Sequence, residues 1–307
     1  MRNLITASGA LACIAVVSSC NQPERPVAAH HDHGQPLASI INNNIDLDGK
    51  ADLIVRADVL EHGWVIRDEK LSAASCSVIE GGTEPGTRRL LRMTVMTPNV
   101  GDADIFIGDP NSYVDAKGNS DLYEFALCHN HYHFKHYALY ELVQKNADGT
   151  DAKVWRAAKR GFCMLDTDPN PAHMGEQPRD PNFAGCGTRT TPGNQGVSHG
   201  WADTYRFYLG GQYFVLDDNG GTQDPVPPGV YYMRITVNPA FAPGKRGRCP
   251  RAKDPLTGMC HQFEESNYAN NSAEVAVSIP DHVGRDGYGP LKDTKEDTND
   301  PKLEASR

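Results

Sequence analysis

The residues with the clearest chemical potential lie in Cys128-His129-Asn130-His131-Tyr132-His133. Along an extended strand successive side chains alternate faces, so His129, His131 and His133 would share one face. At roughly 3.3 Å per residue the outer two are about 13 Å apart along the backbone, so both must lean toward His131 or the strand must twist for all three to reach one ion. Three imidazoles suit copper or zinc and leave coordination positions open for water and substrate. Cys128 falls on the opposite face of a regular strand and reads as a disulfide pin rather than a thiolate ligand. His136, three residues beyond His133, is off the shared face and is left out of the ligand set.

The elements that must position these histidines read as β-strands. Alternating or apolar runs occur at 52–55, 89–95, 122–143, 212–216, 230–237 and 275–279. Turn signals such as Pro227-Pro228-Gly229 and Asp217-Asp218-Asn219-Gly220 separate them. With 29 glycines and 21 prolines in 307 residues, and few long apolar periods of 3.6, a loop-rich β domain is favoured over a helical bundle. No internal repeat and no GxGxxG fingerprint is present. The expected architecture is mainly β: one domain over residues 51–280, a β-sandwich core with long functional loops.

The flanks differ in composition. Residues 1–20 form a mildly apolar leader, too short and too interrupted by Ser, Thr and Gly for a membrane span, and read as a secretory signal. Its end, Val17-Ser18-Ser19-Cys20, resembles a lipobox, which would make Cys20 the acylated N-terminus of an envelope lipoprotein; a secreted protein with a plain signal peptide is the alternative. Residues 21–50, with His30, His31 and His33, read as a disordered tether, and 281–307 as a solvated charged tail. Outside the leader stand Cys76, Cys128, Cys163, Cys186, Cys249 and Cys260, an even set that implies disulfides in an oxidising compartment. Of the possible connectivities, the simplest by neighbourhood joins Cys76–Cys128, Cys163–Cys186 and Cys249–Cys260. A net charge of −9 argues against nucleic acid as a natural partner and is compatible with a cationic substrate.

Several segments, in fixed order, resemble the catalytic domain of lysyl oxidases, especially their bacterial relatives. Cys-His-x-His-Tyr-His at 128–133 is similar to the family's copper element, and Lys159-Arg160-Gly161-Phe162-Cys163 to its Lys-x-x-Phe-Cys element. Trp201-Ala202-Asp203-Thr204-Tyr205 resembles the segment ending in Asp-x-Tyr. The resemblance implies copper on the three histidines and a lysine tyrosylquinone cofactor formed from Lys159 and Tyr205. It implies an activity like that of protein-lysine 6-oxidase: a primary amine or lysyl side chain and O2 give an aldehyde, ammonia and hydrogen peroxide. Asp203, two residues from Tyr205 and on the same strand face, is the candidate catalytic base, with His199 as a second choice.

Two further segments resemble the family's calcium elements. They are Asp52-Leu53 and Glu265-Ser266-Asn267-Tyr268-Ala269-Asn270-Asn271. The implied oxygen ligands are Asp52, Leu53, Glu265, Asn267, Asn270 and Asn271, the kind a hard cation takes. Asn267 replaces a family aspartate and removes one negative charge. Pro169, Trp201 and Gly211 stand where animal members carry cysteines, the first two removing both ends of one bridge. Ala126 and Leu139 stand where histidines occur in the family. Two competing readings remain: a copper-binding or storage lipoprotein without catalysis, and a zinc hydrolase, for which no HExxH is present.

Overall fold

The structure, a computed structural model, describes residues 49–80, 82–159, 161–170 and 180–282. The leader with Cys20, the tether up to residue 48 and the tail from residue 283 lie outside the described residues. No helix among the described residues is long and apolar enough to cross a membrane.

In chain order the elements begin with α1 (Ala57–His62), β1 (Trp64–Leu71), the single-turn α2 (Cys76–Ile79), β2 (Gly86–Met93), β3 (Val95–Pro98) and β4 (Ile105–Gly108). There follow β5 (Tyr123–Ala126), β6 (His131–Phe134), β7 (Ala138–Lys145), β8 (Asp151–Arg156), β9 (Asp168–Pro169), β10 (Gln195–Val197), β11 (Trp201–Tyr205) and β12 (Tyr213–Val215). The last are β13 (Gly229–Val237), β14 (Ala252–Lys253), β15 (Cys260–His261) and β16 (Ser272–Ile279). The domain is mainly β, as the alternating runs require.

The largest sheet has the antiparallel order β16-β13-β7-β8. Strand β13 shows why it forms: Tyr231, Met233, Ile235 and Val237 are buried while their neighbours are not, the period-2 signature of a strand with one face on a core. Two three-stranded sheets, β1-β2-β12 and β3-β11-β9, carry much of the remaining core, and β5 and β6 form a hairpin.

Three expectations shift in detail. Residues 52–55 give an isolated bridge, Leu53 to Asn99, rather than a strand. The run at 89–95 breaks between β2 and β3, where the Thr94 N–H leaves the ladder and donates to the Gly63 carbonyl. The run at 122–143 divides into β5, β6 and β7, with His136 in the left-handed region (φ 61°) between the last two. Strand β1 was not anticipated: its outer half, Arg67 to Lys70, is charged, and pairing with β2 sustains it.

Among the described residues three disulfides are present, Cys76–Cys128, Cys163–Cys186 and Cys249–Cys260. The first two tie sequence-distant segments to the histidine hairpin and to the Lys159 segment.

Candidate functional site

The hairpin of β5 and β6 pairs Ala126 with His131, so residues 127–130 form a four-residue turn between them. His129 therefore sits in the turn and not on the strand. Asn130 closes the turn at φ 55°, a conformation asparagine tolerates better than most residues, and its N–H donates to the Ala126 carbonyl. The turn folds His129 back over the strand, which removes the reach problem of a fully extended triad. In β6 the alternation holds: Tyr132 and Phe134 point into the core, packing against Phe125 and Tyr123 with centroids 5.1 and 5.8 Å apart, while His131 and His133 share the other face.

The three imidazole centroids lie 5.0 to 5.4 Å from one another. One ring nitrogen from each falls within 4.8 Å of the others, the geometry of a three-imidazole metal site. His129 Nδ1 lies 2.6 Å from Glu80 Oε1, leaving Nε2 as its nitrogen for a metal. Burial, with Lys159 and the other two imidazoles nearby, holds the proton affinity of His133 well below that of an ordinary histidine. A neutral imidazole is the form that ligates.

Backbone contact brings the lysine to this cluster. The Phe134 N–H donates to the Phe162 carbonyl at 2.6 Å, so residues 161–163 run beside the end of β6. At Gly161 the backbone lies against the His133 ring; a Cβ there would fall 2.2 Å from His133 Nδ1, so only glycine admits the ring. Lys159, half-buried, stands with Nζ 4.8 Å from the centroid of the Tyr205 ring and 5.6 Å from that of Phe162. Phe162 meets Tyr205 edge-on, centroids 5.3 Å apart. The Tyr205 hydroxyl is held by the Cys163 backbone: it accepts from the Cys163 N–H at 2.7 Å and donates to the Cys163 carbonyl at 2.8 Å. One pocket is lined by His129, His131, His133, Lys159, Cys163, Cys186, Tyr205, Leu209 and Gly210.

The wall at Leu209 and Gly210 is fixed from behind. Arg92, fully buried, donates to the carbonyls of Phe207 and Leu209 at 3.0 and 3.3 Å, and is clamped by two 2.6 Å bonds to the Glu69 carboxylate. Tyr213 lies under the guanidinium, 4.9 Å to the ring centroid, and donates its hydroxyl to Ser77 in α2.

The structure thus brings together His129, His131, His133, Lys159 and Tyr205. Asp203 and His199 do not line the pocket. Asp203 is fully buried on β11, opposite Thr97, and its charge raises the proton affinity of the Tyr137 hydroxyl, which burial already pushes up. The His199 ring bonds the Gly101 carbonyl through Nδ1, and the His199 backbone N–H donates to Asp104. Sequence reasoning missed Glu80, Arg92 and the Gly161 contact. Glu80 was reachable: with Cys76 bonded to Cys128, a carboxylate four residues past Cys76 must lie near the neighbour of Cys128.

The Asp52 and Glu265 segments meet in a second cluster. Glu265, fully enclosed, accepts from the Leu53 N–H at 2.6 Å, from Asn238 at 2.7 Å and from Asn271 at 2.8 Å, while Asn270 donates to Asp52 at 3.1 Å. Burial pushes the Glu265 carboxyl up to about 8 and raises that of Asp52. Asp52 Oδ1, Asn270 Oδ1 and Asn271 Oδ1 are buried acceptors that no donor among the described residues hydrogen-bonds. Orphaned oxygens beside two carboxylates suit a hard cation. Asn267 is exposed, its Oδ1 accepting the Ala269 N–H.

Fold and site together define a class: a disulfide-tied β domain with an imidazole cluster of metal-site geometry beside a lysine–tyrosine pair. The family model described as Lysyl oxidase matches residues 64–246, more than half of the chain. The chain belongs to the lysyl oxidase family. It is similar to lysyl oxidase homolog 4 of Homo sapiens, 28% identical over 233 residues, 72% of this chain and 26% of that protein. Similarity to lysyl oxidase homolog 2 of Homo sapiens is 28% over 203 residues, 62% of this chain and 22% of that protein. Lysyl oxidase homolog 3B of Danio rerio is 28% identical over 204 residues, 62% and 21% respectively. The chain spans about a quarter of the length of these curated relatives.

Proposed function

We propose that this domain is a copper-dependent amine oxidase of the lysyl oxidase kind, taking a primary amine or a lysyl side chain with O2 and water to an aldehyde, ammonia and hydrogen peroxide. The observation that carries the reading is the Lys159 nitrogen 4.8 Å from the centroid of the Tyr205 ring, in the pocket that the three imidazoles line. When bound on His129, His131 and His133, copper with O2 would supply the oxidation that joins Lys159 to Tyr205 as lysine tyrosylquinone, an electrophile no ordinary side chain offers.

The residues divide the remaining work. Cys163 fixes the Tyr205 hydroxyl at both its donor and its acceptor functions, so the ring enters the pocket in one orientation. Phe162 covers the flank of the ring and restricts water beside Lys159. Enclosure of His133 keeps it neutral. Asp203, fully buried on the Tyr205 face of β11, enters this reading as a positioning residue rather than one touching substrate. The zinc-hydrolase reading would need a carboxylate beside a metal-bound water; Glu80 is instead engaged with Nδ1 of His129.

The proposal extends to the flanks: export, with the domain held at the cell envelope through an acylated Cys20, and calcium between Asp52, Leu53, Glu265, Asn270 and Asn271. Asn267, with its side chain engaged in a turn, contributes least.

Replacing Tyr205 tests the function. Copper-matured protein in air should release hydrogen peroxide with a primary amine and be blocked by hydrazines. Tyr205→Phe should bind copper and release none. Peroxide release by Tyr205→Phe at the wild-type rate overturns the reading in favour of metal-only chemistry.

A further inference from the structure

Glu80 follows α2 directly, and its N–H donates to the Cys76 carbonyl at 2.8 Å, closing the turn. The Cys76–Cys128 disulfide holds the start of that turn to the residue preceding His129. Glu80 and His129 are 49 residues apart in sequence, yet their side chains meet at 2.6 Å, with His129 only 9% and Glu80 21% exposed. The turn is anchored on its far side too, since Ser77 accepts the Tyr213 hydroxyl at 2.7 Å. Glu80 also lines the space behind the imidazole layer, together with His129, His133 and Lys159.

We infer that Glu80 is a positioning residue for the metal centre: its carboxylate accepts the Nδ1–H of His129, fixes the ring and its tautomer, and presents Nε2 to copper, with the Cys76–Cys128 disulfide holding the carboxylate in place. The physical need is specific to His129. His131 and His133 are held by the β6 ladder, and His133 also by the Gly161 backbone, whereas His129 sits in the 127–130 turn, where the Glu80 carboxylate lies 2.6 Å from its Nδ1. A carboxylate on the distal nitrogen sets the ring's orientation and tautomer and raises the basicity of the ligating one. This rests on the triad being the copper site.

The test measures copper(II) affinity of the full chain by competition with a chelator of known affinity, and the electron paramagnetic resonance spectrum of the bound ion. Glu80→Ala should bind copper(II) about 10–100-fold more weakly than wild type and give an altered or heterogeneous spectrum. Glu80→Gln, which keeps an acceptor oxygen and the side-chain volume but not the charge, should fall between the two. Both variants are scored with the three disulfides mapped and the copper-free melting temperature recorded; Glu80→Gln decides if Glu80→Ala does not fold. Wild-type affinity with an unchanged spectrum in the folded Glu80→Gln protein overturns the inference. Failure of the wild type itself to bind one copper overturns the parent reading instead.

Discussion

The ammonium nitrogen of Lys159 lies 4.8 Å from the centroid of the Tyr205 ring, and the hydroxyl of that ring is tied at both ends of its hydrogen-bonding capacity to the backbone of Cys163. A lysine beside a tyrosine is a cation–π pair in many proteins. Here the tyrosine cannot turn away, and the lysine reaches it from a segment bonded to the histidine strand. Lys159→Arg should keep the cation over the ring and copper at one per chain, while amine-dependent peroxide falls to background. Retained turnover would show that the amine is not consumed in making a cofactor.

Gly161 sets how closely the lysine segment approaches the metal face. Adding a methyl group must push the His133 ring aside or lift the backbone, because the new carbon would overlap Nδ1 and Cγ at 2.2 and 2.5 Å. Gly161→Ala should therefore weaken copper binding by about tenfold or more without removing a ligand, since displacements of about 1 Å in a site are costly. Chelator competition reads the effect directly.

Much of this site was legible in the residues themselves. His131 and His133 share a face because strand alternation demands it, and Tyr132 is buried for the same reason. His129 fits that pattern only by coincidence of spacing. Its position comes from a turn closed by Asn130, and nothing in a period-2 reading separates a strand end from a hairpin turn. Arg92 and the burial of Asp203 were beyond reach on one ground: what a charged side chain does depends on which distant segment packs on it.

Arg92 illustrates the point, as a charge buried in a sheet to hold two carbonyls of the pocket wall. Glu69→Ala leaves that guanidinium buried without its carboxylate, which should cost about 3 kcal/mol. The Leu209–Gly210 wall should loosen with it. A fall in melting temperature accompanied by weaker inhibition by hydrazines would show both effects; unchanged stability would contradict the clamp.

The Glu265 carboxyl, pushed up to about 8 by burial, gives a pH signature. Its folded value lies above the unfolded one, so its contribution to stability is fully present below the unfolded value and is lost as pH rises toward about 8. In chelator, unfolding free energy should fall across that window by a few kcal/mol. Calcium should reverse the trend, since it favours the ionised form, and should raise the melting temperature most near neutral pH. A Glu265→Gln protein should lose both responses.

Trp201 pairs directly with Pro169 across β11 and β9, at the two positions where animal members of the family carry cysteines. Directly opposed residues in an antiparallel pair have Cα atoms about 4.5–5.5 Å apart, within reach of a disulfide. The double variant Pro169→Cys, Trp201→Cys should form a fourth disulfide in air, and peptide mapping without reductant would find it. Two free thiols in the folded protein would contradict the pairing.

The most direct test of the whole account is the covalent state of Lys159 and Tyr205. Protein purified copper-free and then matured with copper in air is digested and mapped by mass spectrometry, beside a copper-free control. The account predicts that the peptides carrying Lys159 and Tyr205 appear as one cross-linked species after maturation and as two separate peptides in the control. Separate, unmodified peptides in a copper-loaded sample that still oxidises amines would contradict it.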